Sequence, residues 1–167
     1  MNLDLLNDLP EWDDDELKKL NDEEGEEWKP NPTREACKIL YEQWQQVMTM
    51  LKGTFELCDI SKSDSFSKEY SEDHKAIILS DGYEIAVKIH SSEAGELYVL
   101  RMENAAIIRK NAQFISSSIL LLIEEEIIDE QYGMAIRNEI DKFRILFKNW
   151  VATFTKDEFE DEWGLFI

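Results

Sequence analysis

Apolar residues recur at steps of three and four along two long segments, and this spacing predicts two amphipathic helices. In residues 33–57 the apolar positions are Ala36, Leu40, Trp44, Val47, Leu51 and Phe55. In residues 130–155 they are Ile136, Ile140, Phe143, Phe147, Trp150 and Phe154. Alternating steps of this kind favour helices packed nearly antiparallel, as in a four-helix bundle. Either Asn31 or Thr33 can cap the start of the first helix.

The segment from His74 to His90, HKAIILSDGYEIAVKIH, fits two different structures and holds both histidines of the chain. Apolar residues occupy every second position from Tyr83 to Ile89, which is typical of a half-buried strand. A turn at residues 80–82 would pair this strand with the preceding residues as a hairpin. The hairpin would bring the two imidazoles close enough for a metal site.

A helical period over a longer range favours the other structure. Mostly apolar and small residues, together with His90 and Arg101, form a continuous series at steps of three and four from Leu79 to Leu122, through the proposed turn. Gly82 and Gly95 each cost a helix about 1 kcal/mol relative to alanine, which a packed bundle can absorb. We therefore expect helices at residues 65–91 and 92–126. In such a helix His74 and His90 lie about 24 Å apart and share no site.

The four predicted helices indicate an all-α, antiparallel four-helix bundle. The alternative is an α+β fold with a β-hairpin or meander at about residues 74–102 packed on helices. We expect a helical bundle domain at residues 32–156. An acidic, partly disordered extension precedes it at residues 1–31, and an acidic-aromatic tail follows at residues 157–167.

The net charge of −19 is concentrated in the two extensions. Residues 1–28 contain twelve acidic and two basic residues, and residues 156–167 contain five acidic residues and one lysine. Because a phosphate backbone requires a surface rich in lysine and arginine, we expect no binding to nucleic acid. We also expect no membrane binding, because the longest apolar run, residues 119–123, is far shorter than the about 20 residues that span a bilayer.

Cys37 and Cys58 are the only cysteines, and neither belongs to a pair with zinc-binding spacing. On one helix they would lie about 30 Å apart, too far for a disulfide. Reduced thiols predict a cytoplasmic protein.

One spacing near residue 90 fits metal or ligand binding. His90, Glu93 and Glu96 follow the pattern H-x-x-E-x-x-E, which on a helix places an imidazole and two carboxylates on one face. Di-iron bundles use Glu-x-x-His on paired helices, but here the order is reversed and no second copy exists. Arg101 and Asn104 could add a pocket for a small anion. The alternative is structural: Arg101 pairs with a glutamate on a neighbouring helix, and Asn104 sets the helix register.

Catalytic chemistry has little support in the sequence. No serine or cysteine has the surroundings of a catalytic nucleophile, and no glycine-rich loop could bind a phosphate group. We therefore predict no catalytic residue and no cofactor, with a metal around His90 as the alternative.

Both extensions carry large aromatic residues among their carboxylates, and these are the candidate partner-binding residues: Trp12, Trp28, Phe159, Trp163 and Phe166. A solvated, disordered segment has no physical need for tryptophan. Such residues either dock into an apolar groove rimmed by lysine and arginine, or pack back onto their own bundle. The sequence thus predicts a non-enzymatic interaction module that binds a protein partner or forms a homodimer. The alternative is a bundle that binds a metal or small ligand, as an enzyme could.

Overall fold

The computed structural model describes residues 9–21, 25, 28–58 and 65–166, and this part of the chain forms five helices and no strand. They are α1 (Asp14–Asn21), α2 (Pro32–Glu56), α3 (Ser65–Ser91), α4 (Tyr98–Glu124) and α5 (Glu130–Val151). α2 packs on α3 and α5, and α4 packs on the same two helices from the other side. The predicted all-α bundle is confirmed.

The N-terminal end of α2 lies beside the C-terminal ends of its neighbours, so α2 is antiparallel to both. Asn31 caps α2 by accepting a 3.0 Å hydrogen bond from the main-chain N–H of Arg34. The Asn31 amide also donates to Glu96, just beyond α3. The Thr33 hydroxyl donates to the carbonyl oxygen of Thr153, just beyond α5. These bonds join three helices at one end of the bundle.

The core follows the two predicted stripes closely. Of the positions predicted in α2, Leu40, Trp44, Val47, Leu51 and Phe55 are buried, and of those in α5, Ile136, Ile140, Phe143 and Trp150 are buried. Trp44 and Phe143 contact each other across the two helices with ring centroids 4.8 Å apart. Fully buried aromatic rings contribute large apolar areas, so this contact anchors α2 to α5.

Residues 74–90 lie entirely within α3, and the alternative of a hairpin is wrong. The buried face of α3 carries Ile78, Ile85 and Ile89, each fully buried and at helical spacing. The predicted apolar stripe lies one position away from this buried face. Its members Leu79 and Tyr83 are only half-buried. The two histidines are therefore separated along one helix and form no joint site.

The two glycines of this region have different roles. Gly82 lies inside α3, where an added Cβ would be 2.4 Å from Sδ of Met48 on α2. Gly95 has a φ of +136° and lies in the connection between α3 and α4, at residues 92–97. The helix predicted to begin at residue 92 begins instead at Tyr98. A left-handed backbone at Gly95 is incompatible with a continuing helix.

Part of the predicted N-terminal extension is folded onto the bundle. Asp13 caps α1 with its carboxylate, and Leu17 on α1 is buried. Asp14 forms an ion pair with Lys38 on α2. The prediction of partial disorder also concerns residues 1–8, 22–24, 26 and 27, which fall outside the described residues.

Within the described ranges, α4 is long and apolar enough, by length and composition alone, to cross a membrane. The core helix of a folded domain meets the same criterion. In this structure α4 packs on α3 and α5, with Ile108, Ile115 and Ile119 fully buried. The expectation of no membrane binding stays a prediction.

Candidate functional site

Three of the predicted ligand residues, Glu93, Glu96 and Arg101, form an ion-pair cluster at the end of the bundle where α2 begins. Nη2 of Arg101 donates a 2.9 Å hydrogen bond to Oε2 of Glu93, whose side chain is fully buried. Nη1 of Arg101 donates to the carbonyl oxygen of Glu96 at 3.4 Å. The Glu96 carboxylate accepts from Asn31 at 2.8 Å and from Arg34 at 3.4 Å. Two arginines thus balance two glutamates.

Asn104 connects α4 to the end of α3. Its amide donates to the hydroxyl oxygens of Ser92 at 3.2 Å and Ser91 at 3.4 Å. The Ser92 hydroxyl in turn donates to the carbonyl oxygen of Lys88 at 2.7 Å, in the last turn of α3. This arrangement fits the structural alternative, in which the asparagine sets the register of two helices. The glutamate partner of Arg101, however, lies in the connection rather than on a neighbouring helix.

His90 lies apart from the two glutamates. Because α3 ends at Ser91, Glu93 and Glu96 do not continue its helical face. The His90 Nε2 is 3.1 Å from the carbonyl oxygen of Glu11, and the imidazole packs against Trp12 with ring centroids 5.9 Å apart. Within the portion of the chain that is described, no group of three or more histidine, cysteine, aspartate or glutamate side chains could hold a metal ion.

Burial raises the pKa of two groups in and beside the cluster. Burial raises the pKa of Glu93, and the nearby Arg101 guanidinium opposes that rise. Burial also raises the pKa of Cys37 well above its usual 9.0, and the adjacent Glu93 charge adds to the effect. The Cys37 thiol is 3.4 Å from the carbonyl oxygen of Ile89, to which it donates. A buried, protonated thiol is a poor nucleophile.

The aromatic residues predicted to bind a partner fall into two groups. Trp12 packs against Tyr41 with ring centroids 5.6 Å apart and donates to Asp14, so it packs on its own bundle. By contrast, Trp28 is 77% exposed and Trp163 is 89% exposed.

The described part of the acidic-aromatic tail, residues 157–166, has a defined start and a turn. The Asp157 carboxylate accepts a 2.8 Å hydrogen bond from the main-chain N–H of Tyr98, at the first turn of α4. Asp161 accepts from the N–H of Gly164 through its carbonyl and from the N–H of Leu165 through its carboxylate. The turn leaves Trp163 exposed, Phe159 is also 54% exposed, and Phe166 is half-buried.

A groove of about 570 Å³ lies between α4 and α5. Apolar side chains line it, among them Ala112, Ile140, Phe143 and Phe147, together with four cationic side chains, Arg109, Arg137, Arg144 and Lys148. Asp141 is the carboxylate among its lining residues. This groove was not predicted from the sequence. One signal was present in the sequence. Arg137, Arg144 and Lys148 each come one position after a residue of the α5 apolar stripe, so these cations lie beside that stripe on one face of the helix.

A cleft of about 420 Å³ lies at the start of α2, beside Trp28. Lys38 and Arg34 line it, but Lys38 is paired with Asp14, and Arg34 with Glu96. The hydrogen bond from Lys38 lowers the pKa of Asp14. Two of the four cations that line this cleft are therefore paired with the chain's own carboxylates.

Comparison with known proteins adds no further site. The chain matches no protein-family model, no curated protein and no solved structure. Functional conclusions therefore depend on the exposed tail, the groove and the ion-pair cluster themselves.

Proposed function

We propose that this chain is a non-enzymatic interaction module whose bundle presents the acidic-aromatic tail to another protein molecule. The observation that carries the proposal is the exposure of Trp163, at 89%, within a segment of five carboxylates and no basic residue. Burying apolar surface is favourable by about 25 cal/mol per Å², so an exposed indole gains from docking. The surrounding carboxylates favour an acceptor with a cationic rim.

The bundle supports this role by holding the base of the tail. Asp157 is bonded to the N-terminus of α4, where a carboxylate also interacts favourably with the helix dipole. The first residue of the tail is therefore fixed, while Phe159 and Trp163 beyond it remain accessible. A segment held at one end loses less conformational entropy on docking than a free one.

The groups that an enzyme or ligand-binding site would use are already engaged with the rest of the bundle. Glu93 pairs with Arg101, and Glu96 pairs with Arg34. His90 packs against two aromatic rings. These contacts favour a structural role for the cluster and support the interaction module over the ligand-binding alternative.

The test compares the full chain with the double variant F159A/W163A. Affinity capture and mass in solution are measured for both. The matched control is the double variant I39A/Y132A, because Ile39 and Tyr132 are 52% and 53% exposed and lie outside the tail. We expect the tail variant to lose a bound protein or a self-association that the full chain and the control retain. Equal capture and equal mass for all three proteins would defeat the proposal.

A further inference from the structure

The groove between α4 and α5 has the size and lining of a docking site. Its volume of about 570 Å³ lies within the range of about 300–1,000 Å³ typical of ligand pockets. Ile140 and Phe143 form a buried apolar floor, and Phe147 is half-buried beside them. An aromatic side chain placed there would contact apolar groups on both helices.

The rim of the groove is mainly cationic and favours a negatively charged segment of a partner. Four cationic side chains and one carboxylate line the groove, in a chain whose net charge is −19. Arg109 and Lys148 are exposed and form no ion pair with any residue in the described ranges. Arg144 pairs with Asp141 at 3.2 Å, but both side chains are largely exposed and such pairs contribute little. An incoming carboxylate could replace Asp141 at Arg144.

The acidic-aromatic tail has the complementary chemistry. It places Phe159 and Trp163 among five carboxylates, so apolar and anionic groups alternate over a few residues. Along α5, the cations from Arg137 to Lys148 span about 16 Å. An extended segment of residues 158–166 reaches about 26 Å, which is enough to cover them.

The tail does not occupy the groove of its own chain. Asp157 is bonded at Tyr98, and the turn that begins at Asp161 holds Trp163 in solvent. The residues that line the groove all belong to α4 and α5. Each molecule therefore presents one tail and one open groove. In a closed two-fold dimer, the tail of each copy would occupy the groove of the other.

We infer that the α4–α5 groove binds the acidic-aromatic tail of a second copy of this chain, with Phe159 and Trp163 on the apolar floor and the carboxylates at the cationic rim. This inference rests on the proposed function, because it names the partner of the tail. It adds that the partner surface lies on the same protein.

Sedimentation velocity of the full chain over a range of concentrations tests the inference. We expect a dimer at low ionic strength that dissociates as salt is added, because salt screens exposed charge pairs. The groove variant R144E/K148E is expected to weaken dimerisation at least about tenfold, because it places like charges opposite the tail. The control K68E/K110E makes the same change of charge at exposed positions outside the groove and is expected to dimerise as the full chain does.

Mixing two variants tests reciprocity. F159A/W163A retains its groove, and R144E/K148E retains its tail, so the mixture contains one intact tail–groove pair. We expect each variant alone to be monomeric and the mixture to form a heterodimer. All substituted positions are exposed, so far-UV circular dichroism should remain unchanged.

Two results would overturn the inference: a monomeric full chain at every concentration, or a groove variant that dimerises like the control. If the full chain is monomeric but F159A/W163A loses a captured protein, the proposed function stands and only the second copy is wrong. If F159A/W163A changes neither mass nor capture, both proposals fail.

Discussion

The indole Nε1 of Trp44 donates a 2.7 Å hydrogen bond to the main-chain carbonyl oxygen of Gly82, inside the bundle where α2 crosses α3. The contact requires close approach of the indole to the α3 backbone, and the absence of a side chain at position 82 leaves room for Met48 beside it. The glycine that weakens the helical pattern in the sequence is therefore part of the packing between two helices.

Alanine at two buried glycines is expected to have different effects. At Gly82 an added Cβ meets the flexible end of Met48, whereas at Gly133 it lies 2.6–2.7 Å from the branched side chain of Ile123. The better helix propensity of alanine, about 1 kcal/mol, should roughly offset the movement of Met48. We expect G82A to change the free energy of unfolding by less than about 1 kcal/mol and G133A to lower it by about 1–3 kcal/mol. Urea denaturation measures both, and a larger loss for G82A would contradict this account.

Replacing Arg101 with methionine removes a charge while keeping most of the side-chain volume. It leaves the Glu93 carboxylate fully buried without its 2.9 Å partner, a change that typically costs about 3–5 kcal/mol. We expect R101M to be destabilised by that order at neutral pH. The double variant E93Q/R101M should recover most of the loss, because it removes the buried charge as well. A double-mutant cycle by urea denaturation measures the coupling, and additive losses would contradict the ion-pair assignment.

The penalty of R101M should depend on pH. Burial raises the pKa of Glu93 above its usual 4.5, and loss of the opposing guanidinium should raise it further. A carboxyl group whose pKa is higher in the folded than in the unfolded state stabilises the fold when it is protonated. This contribution is fully present below the pKa of the unfolded state and is lost as pH rises through the pKa of the folded state. The difference in unfolding free energy between the full chain and R101M is therefore expected to be small near pH 4.5 and to grow toward neutrality. A difference that is constant with pH would contradict the prediction.

The two cysteines should differ in their rate of reaction with a thiol reagent. Burial raises the pKa of both thiols. Cys37 is fully buried and its pKa is raised well above 9.0, whereas Cys58 is only half-buried. Since the thiolate is the reactive form, we expect one thiol per folded chain to react at least about tenfold faster than the other. The variant C58S should lack the fast phase. Equal rates for both thiols in the folded protein would be inconsistent with this structure.

Asp157 is expected to link the stability of α4 to the position of the tail. D157A removes the acceptor for the Tyr98 N–H, and loss of such a cap usually costs about 0.5–2 kcal/mol. E158A is the matched control. Glu158 is exposed, and the substitution removes the same charge one residue later. Thermal unfolding should show a lower midpoint for D157A alone, and equal midpoints would refute the cap.

The sequence predicted α2 and α5 well because each has one apolar face. The core positions Leu40 and Trp44 in α2, and Ile140 and Phe143 in α5, follow directly from that spacing. α3 was harder, because Ile77, Ile78 and Leu79 are consecutive, and only contact with neighbouring helices selects Ile78 as the buried one.

The candidate sites were less predictable than the fold. The partner of Arg101 lies in the connection at residues 92–97. The sequence predicted the end of the preceding helix at residue 91 but placed the start of the next helix at residue 92 instead of Tyr98, so it did not predict this connection. The groove combines Arg109 from one helix with Lys148 from another, and only the antiparallel packing of α4 and α5 brings them together. Exposure of Trp163 is likewise a tertiary property, because its sequence context is similar to that of the packed Trp12.

The most direct test of tail docking uses a photoreactive benzoylphenylalanine in place of Trp163 in the full chain. Unlabelled and ¹⁵N-labelled protein are mixed in equal amounts, irradiated and analysed by mass spectrometry of crosslinked peptides. The account predicts crosslinks of mixed isotope mass that join the tail of one copy to the α4–α5 groove residues of another, such as Phe147. Crosslinks confined to single molecules, or intermolecular crosslinks that avoid the groove, would contradict it.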